Sequence, residues 1–149
     1  MAAEGLLVDT NILIRSVQPL DPSYPAITTA LERLVRSRVG LFYTSQNLGE
    51  MWNALTRPIT RNGFGLTSLE ADRQARQIES TFLLLPDNPA VHEEWRKMLV
   101  DLEISGVQVH DARLVAAMRV HGLKRILTLN DRDFRRFFDI KAVLPQDLL

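Results

Sequence analysis

The sequence contains no cysteine. Disulfides and thiolate metal sites are therefore excluded, and the composition suits a reducing compartment. Net charge is also missing, because 18 Lys and Arg balance 18 Asp and Glu. Global charge announces no polyanionic partner, so any basic contact surface must be local. No apolar run approaches the roughly 20 residues of a membrane span. The opening Met1-Ala2-Ala3-Glu4-Gly5 has neither the basic segment nor the apolar stretch of a secretion signal. A cytoplasmic protein is expected. Histidine is scarce, and His92 and His121 have no partner at ligand spacing. There is no internal repeat, low-complexity run or linker.

What is present fits one domain over 1–149. The 149 residues are 46% hydrophobic and 24% charged, enough apolar material for a sizeable core. Gly5 to Val8 reads as a first strand, followed by a short helix from Ile12 to Val17. Tyr24-Pro25 opens an amphipathic helix carrying Ile27, Ala30, Leu31, Leu34 and Val35 at helical spacing. Leu41-Phe42-Tyr43 is a second strand. Thr44 or Ser45 caps a helix with Leu48, Met51, Trp52 and Leu55 on one face, stopped at Arg57-Pro58. Thr67-Ser68-Leu69-Glu70 has capping-box spacing ahead of a polar helix. Thr81 to Leu85 is predicted as a third strand. Asn88-Pro89 opens a helix to about Leu102, and His110 to His121 is helical, closed by Gly122. Lys124 to Leu129 is a fourth strand, Asp131 to Phe138 one or two helical turns, and Ile140 to Leu144 a fifth strand. Strands alternating with helices in short apolar runs predict an α/β fold, its parallel sheet covered by helices on both faces.

In such sheets the carboxyl ends of the strands meet at one edge, where ligands bind. Asp9 ends the first buried run at that edge. Either it caps the helix that follows, or it belongs to a site, since an unpaired buried carboxylate is costly. Asn130, Asp131 and Asp133 follow the fourth strand. Asp111 shares a helical stripe with Leu114, Val115 and Met118, which places it at the start of a buried face rather than toward solvent. Acids gathered at one place stay ionised together only around a cation. Hard oxygen donors favour Mg²⁺ or Mn²⁺, and such a cluster suits phosphodiester hydrolysis. Glu50 stands apart. At about 100° per residue it falls opposite the apolar stripe of its helix, as a solvated glutamate would.

Four stretches taken together resemble the PIN domain, and more narrowly the VapC-type toxins of bacterial toxin–antitoxin pairs. They are Val8-Asp9-Thr10-Asn11-Ile12-Leu13, the run from Gln46 to Pro58, Val109-His110-Asp111-Ala112-Arg113-Leu114-Val115-Ala116-Ala117, and the run from Ile126 to Phe134. The resemblance covers nearly the whole chain. It implies an α/β/α sandwich of about five parallel strands and a Mg²⁺- or Mn²⁺-dependent endoribonuclease acting on RNA. It implies a cognate antitoxin partner and a homodimer. It also implies that Asp9 and Asp111 bind metal, that Glu50 is the third acid, and that Thr10 and Asn11 hold Asp9 in place.

The fourth acidic position departs from the family pattern, with one extra residue between Thr128 and Phe134. Counting forward from Thr128 reaches Asn130, and counting back from Phe134 reaches Asp131. Asp131 is the expected fourth acid, acting through water, with Asn130 as its rival and Asp133 as a cap for the turn. Arg113, Arg132, Arg135 and Arg136 are candidates for phosphate contacts or for ordinary surface ion pairs. Trp52 and Trp95 read as packing residues. His110 reads as a helix-start residue rather than a general base. Two other functions compete: a PIN-like RNA- or protein-binding module without catalysis, and a phosphoacceptor receiver domain. The receiver requires a second acid beside Asp9, which is missing.

Overall fold

The computed structural model describes residues 4–149. Its sheet is built from β1 (Gly5–Val8), β2 (Gly40–Tyr43), β3 (Leu83–Leu84), β4 (Arg125–Leu127) and β5 (Lys141–Val143), in the order β3-β2-β1-β4-β5. All four pairings are parallel. The chain winds outward from β1 to β2 and β3, then returns to the other side of β1 for β4 and β5. β1 and β4 therefore flank a switch point, where a crevice opens beyond the strands' carboxyl ends.

Six helices cover the sheet among the described residues: α1 (Thr10–Ser16), α2 (Tyr24–Arg36), α3 (Ser45–Thr56), α4 (Ser68–Thr81), α5 (Pro89–Asp101) and α6 (Gln108–His121). Side chains alternate along each strand, so the core divides into two. Leu6, Val8, Leu127 and Val143 pack with Ile12, Ile27, Leu34, Met51, Leu55 and Ile78 from α1 to α4. Leu7 and Ile126 face the other way, onto Val91, Met98, Leu114, Val115 and Met118 from α5 and α6.

Local signals set most boundaries. Thr44, Thr67 and Asn88 cap α3, α4 and α5 through their side chains, and Gly122 ends α6 in the left-handed conformation at φ 74. The third strand is shorter than Thr81 to Leu85. Thr81 ends α4, and Phe82 closes that helix with its N–H on the Ile78 carbonyl at 2.9 Å. The Phe82 and Leu85 side chains are buried on either side of the two-residue strand, and the Leu85 N–H adds one last bond to the Tyr43 carbonyl at 2.8 Å. α1 begins at Thr10, two residues ahead of the predicted start at Ile12, because Asp9 caps it. A 3₁₀ turn at Pro145–Leu148 follows β5 and has no counterpart among the elements predicted from sequence.

Candidate active site

Asp9 leaves β1 at the switch point and is buried, only 8% exposed. The capping reading of Asp9 is realised. One oxygen accepts from the Thr10 backbone N–H at 2.8 Å, capping α1. The other accepts from the Thr128 hydroxyl at 2.8 Å across the β1–β4 boundary. Its backbone N–H continues the ladder onto the Leu127 carbonyl at 2.9 Å. Burial still raises its pKa, with Glu50 and Asp133 adding repulsion that the Thr128 and Thr10 bonds only partly offset.

The cleft over Asp9 has a volume of about 370 Å³. Thr10, Asn11, Ile14 and Arg15 of α1 form one wall. Glu50, Asn53, Ala54 and Arg57 form the other, and Asp111, Asn130 and Asp133 complete the rim. Glu50 is exposed, as its position on the helix predicts, yet its exposed face is the cleft. Its carboxylate accepts from the Gln46 side-chain amide at 2.8 Å, and that same nitrogen donates to the His110 carbonyl at 2.9 Å. Gln46 thus ties Glu50 to the turn that presents Asp111. Asn47 donates to Thr10 Oγ1 at 3.0 Å, which joins α3 to α1. Asn11 reaches toward Asp9 Oδ2 at 3.5 Å and accepts from the Leu129 N–H at 3.3 Å.

Asp111 is the most perturbed acid. Half-burial, followed by repulsion from Asp133, Asp9 and Glu50, pushes its pKa up to about 7. The cleft gathers acids faster than it compensates them.

Asp131, the expected fourth acid, does not line this cleft. It faces Arg135 at 3.9 Å, and Asp133 takes the place on the rim. The reason is the 3₁₀ turn at Asp131–Phe134. With three residues per turn, positions three apart eclipse, so Asn130 and Asp133 share the cleft side. Burial of Phe134, 1% exposed, pins the turn. Of the arginines singled out from sequence, Arg113 pairs with Asp87 and stacks over Trp95 at 5.3 Å. Arg136 bonds Gln108 and the Leu102 carbonyl. Neither lines the cleft; Arg15 and Arg57 do. Trp95 donates to the Val109 carbonyl at 2.9 Å and packs with the α5–α6 core, and Trp52 packs against the other core. Thr128, Gln46 and Asn47 escape a reading of the sequence for site residues, and Asp133, read there as a cap for the turn, lines the cleft instead. The Thr128 and Asn47 side chains are buried polar groups, which sequence periodicity does not register.

The PIN domain profile matches residues 6–138. The chain belongs to the PIN domain family. Among solved structures, the PIN fold of this chain is similar to a chain of VapBC2 from Rickettsia felis bound to a promoter DNA fragment. That match has a TM-score of 0.71 and 14% identity, covering 94% of this chain and 98% of the other. VapBC-1 from nontypeable Haemophilus influenzae matches with a TM-score of 0.69 and 15% identity over 95% and 98% of the two chains. VapC20 from Mycobacterium tuberculosis, a sarcin–ricin loop cleaving toxin, matches with a TM-score of 0.58 and 20% identity over 81% and 86%. No curated protein sequence matches the chain.

The donor chemistry of the cleft suits a hard divalent cation. Its titratable acids are carboxylates without thiolate or imidazole among them, and burial with the neighbouring acids raises Asp111 to about 7. Among the described residues no three His, Cys, Asp or Glu side chains stand close enough to enclose a metal ion. A site of two carboxylates with water completing the shell is the arrangement magnesium prefers.

Proposed function

We propose that the protein is a metal-dependent endoribonuclease that hydrolyses RNA phosphodiester bonds and serves as the toxin of a toxin–antitoxin pair. The observation that carries this reading is the meeting of Asp9, Glu50, Asp111 and Asp133 at the β1–β4 switch point, with Asp111 raised to about 7 by burial and then by its acidic neighbours. Membership of the PIN family and the likeness to chains of toxin–antitoxin complexes support it. The partners in this reading are RNA, a cognate antitoxin protein and a second copy of the chain. No helix among the described residues is long and apolar enough to cross a membrane. The reading places the protein in the cytoplasm.

Asp9 and Asp111 would hold Mg²⁺ or Mn²⁺. When bound, the cation lowers the pKa of a coordinated water and offsets charge growing on the phosphate. Thr128 and Thr10 keep the Asp9 carboxylate turned into the cleft. Glu50, held by Gln46, takes the proton from the attacking water. The water oxygen bonds to phosphorus, the bond to the 3′ oxygen breaks, and that oxygen takes up a proton. The products carry 5′-phosphate and 3′-hydroxyl ends. Asp133 would add negative charge at the rim. Thr10, Asn11 and Asn130 support the carboxylates rather than react.

The test is cleavage of structured and unstructured RNAs by the purified protein in Mg²⁺ or Mn²⁺, with and without chelator. The expected result is cleavage that chelator, Asp9→Asn and Asp111→Asn each abolish. Asn130, uncharged on an otherwise acidic rim, favours the second reading, a PIN module that binds RNA or protein without cutting. That reading prevails if the protein neither cleaves RNA nor binds Mn²⁺ in calorimetry.

A further inference from the structure

The cleft holds two cations, and they differ. Arg15 is engaged: its guanidinium lies 3.5 Å from Asp21 and donates to the Asn11 carbonyl at 3.2 Å. Arg57 has no carboxylate within ion-pair distance among the described residues. Its Nε is buried without a hydrogen-bond partner, and its one bond, at 2.9 Å, goes to the Asn62 carbonyl. A guanidinium left unpaired in a cleft containing four carboxylates calls for an explanation, because arginine is the side chain best suited to bidentate pairing.

The chain is built to keep Arg57 there. Glu50, Asn53, Ala54 and Arg57 are spaced i, i+3, i+4 and i+7, so they form one stripe of α3 facing the cleft. Arg57 closes α3 in an extended conformation, φ −58 and ψ 141, which the following Pro58 enforces. The loop then folds back onto it. Gly65 donates to the Arg57 carbonyl at 2.9 Å. Asn62 adopts φ 60 and presents its carbonyl to the guanidinium. Gly63 lies so close that a Cβ there would stand 2.0 Å from the Arg57 carbonyl oxygen. The Arg57 backbone is thereby held two helical turns, about 10 Å, along α3 from Glu50, and the Asn62 carbonyl anchors one end of its guanidinium.

We infer that Arg57 is a positioning residue that grips a backbone phosphate of single-stranded nucleic acid, next along the strand from the phosphate lying over Asp9 and Asp111. The inference rests on the nuclease reading and assigns the substrate's direction across the cleft: along α3, from Glu50 toward the 58–65 loop. A polyanion approaching four carboxylates is repelled. A cation fixed on the path, with donors already oriented, offsets that repulsion without ordering a mobile side chain.

The test measures binding of a short labelled single-stranded RNA by fluorescence anisotropy over a salt series. It is made in the Asp9→Asn background so that bound RNA stays intact. Arg57→Gln and Arg57→Met remove the charge by two routes, and Arg57→Lys keeps it; thermal melts report folding. We expect the uncharged variants to bind about tenfold more weakly. Their slope of log affinity against log salt becomes shallower by about 0.7, the change for one phosphate no longer neutralised, with Arg57→Lys recovering most of that slope. If Arg57 only braces the loop, all three variants lower the melting temperature and leave the salt slope unchanged, and the inference falls. Cleavage by the unmodified protein separates the two levels. With cleavage intact and the slope insensitive to Arg57, only the inference fails; with neither cleavage nor RNA binding, both fail.

Discussion

The Thr128 hydroxyl donates to Asp9 Oδ2 at 2.8 Å, joining the ends of two adjacent parallel strands through a buried bond. Thr128 is fully buried, and the same hydroxyl accepts from the Asn130 backbone N–H at 3.0 Å, so it serves the cleft by holding that carboxylate and the turn beside it. Thr128→Val keeps the shape and removes both the donor to Asp9 and the acceptor of the Asn130 N–H. Asp9 then loses its main bond to the charged form, and its pKa rises further. We expect metal affinity and cleavage to fall about 10- to 100-fold, with a stability loss of about 1 to 3 kcal/mol. Thr128→Ser is expected to restore most of both. Calorimetry with Mn²⁺ and thermal melts are the measurements, and equal behaviour of the Val and Ser variants would contradict the assignment.

Asp133 and Asp131 are two residues apart and fall on different sides of one 3₁₀ turn. Asp133→Asn is expected to reduce cleavage at least tenfold. Asp131→Asn, which loses only a surface pair with Arg135, should stay within about twofold. A reversed ranking would restore Asp131 as the fourth acid.

Gln46 bridges Glu50 and the carbonyl that precedes Asp111. Gln46→Leu leaves Glu50 untethered, and kcat is expected to drop by about tenfold or more from misplacement alone. Gln46→Glu replaces the shared donor by an acceptor facing a carboxylate and a carbonyl, so it should be worse still. A milder effect for the Glu variant would show that Gln46 merely fills space.

Asp111 supplies a pH dependence whose sign is fixed by its raised pKa, about 7 against 3.8 for an ordinary aspartate. Between those values the folded chain keeps a proton that the unfolded chain has released. The contribution to stability is complete below about pH 4 and is lost as pH rises through about 7. Asp9, also raised, acts in the same direction. In chelator the melting temperature is expected to decline across that window, and Asp111→Asn should flatten the decline. Added Mg²⁺ should raise the melting temperature more above about pH 7 than below it, because cation and proton compete for the same oxygens.

Asp9 and Asp111 are legible in the sequence because each interrupts an apolar pattern: one ends a buried strand, the other heads a buried helical stripe. Glu50 and Arg57 break no pattern. They sit on the polar face of α3, and periodicity cannot tell a face turned to bulk water from one turned to a cleft. The stripe Glu50, Asn53, Ala54, Arg57 has the spacing of a core face and the composition of a surface. Asp133 is passed over because counting from Thr128 or from Phe134 gives a spacing, not the side of a 3₁₀ turn on which a residue falls. The third strand is overread from sequence because Phe82 and Leu85 are buried as side chains beside a two-residue ladder.

The central place of β1 has a consequence for the order in which the molecule is made. β1 is synthesised before its second neighbour, β4, with β2, β3 and six helices made in between. Until Leu127 pairs with Val8 and Thr128 reaches Asp9, the nascent chain carries Asp9, Glu50 and Asp111 without the pocket that unites them. In the nuclease reading, the topology is a built-in delay: an interrupted or truncated product is harmless to the RNA of the machine that translates it.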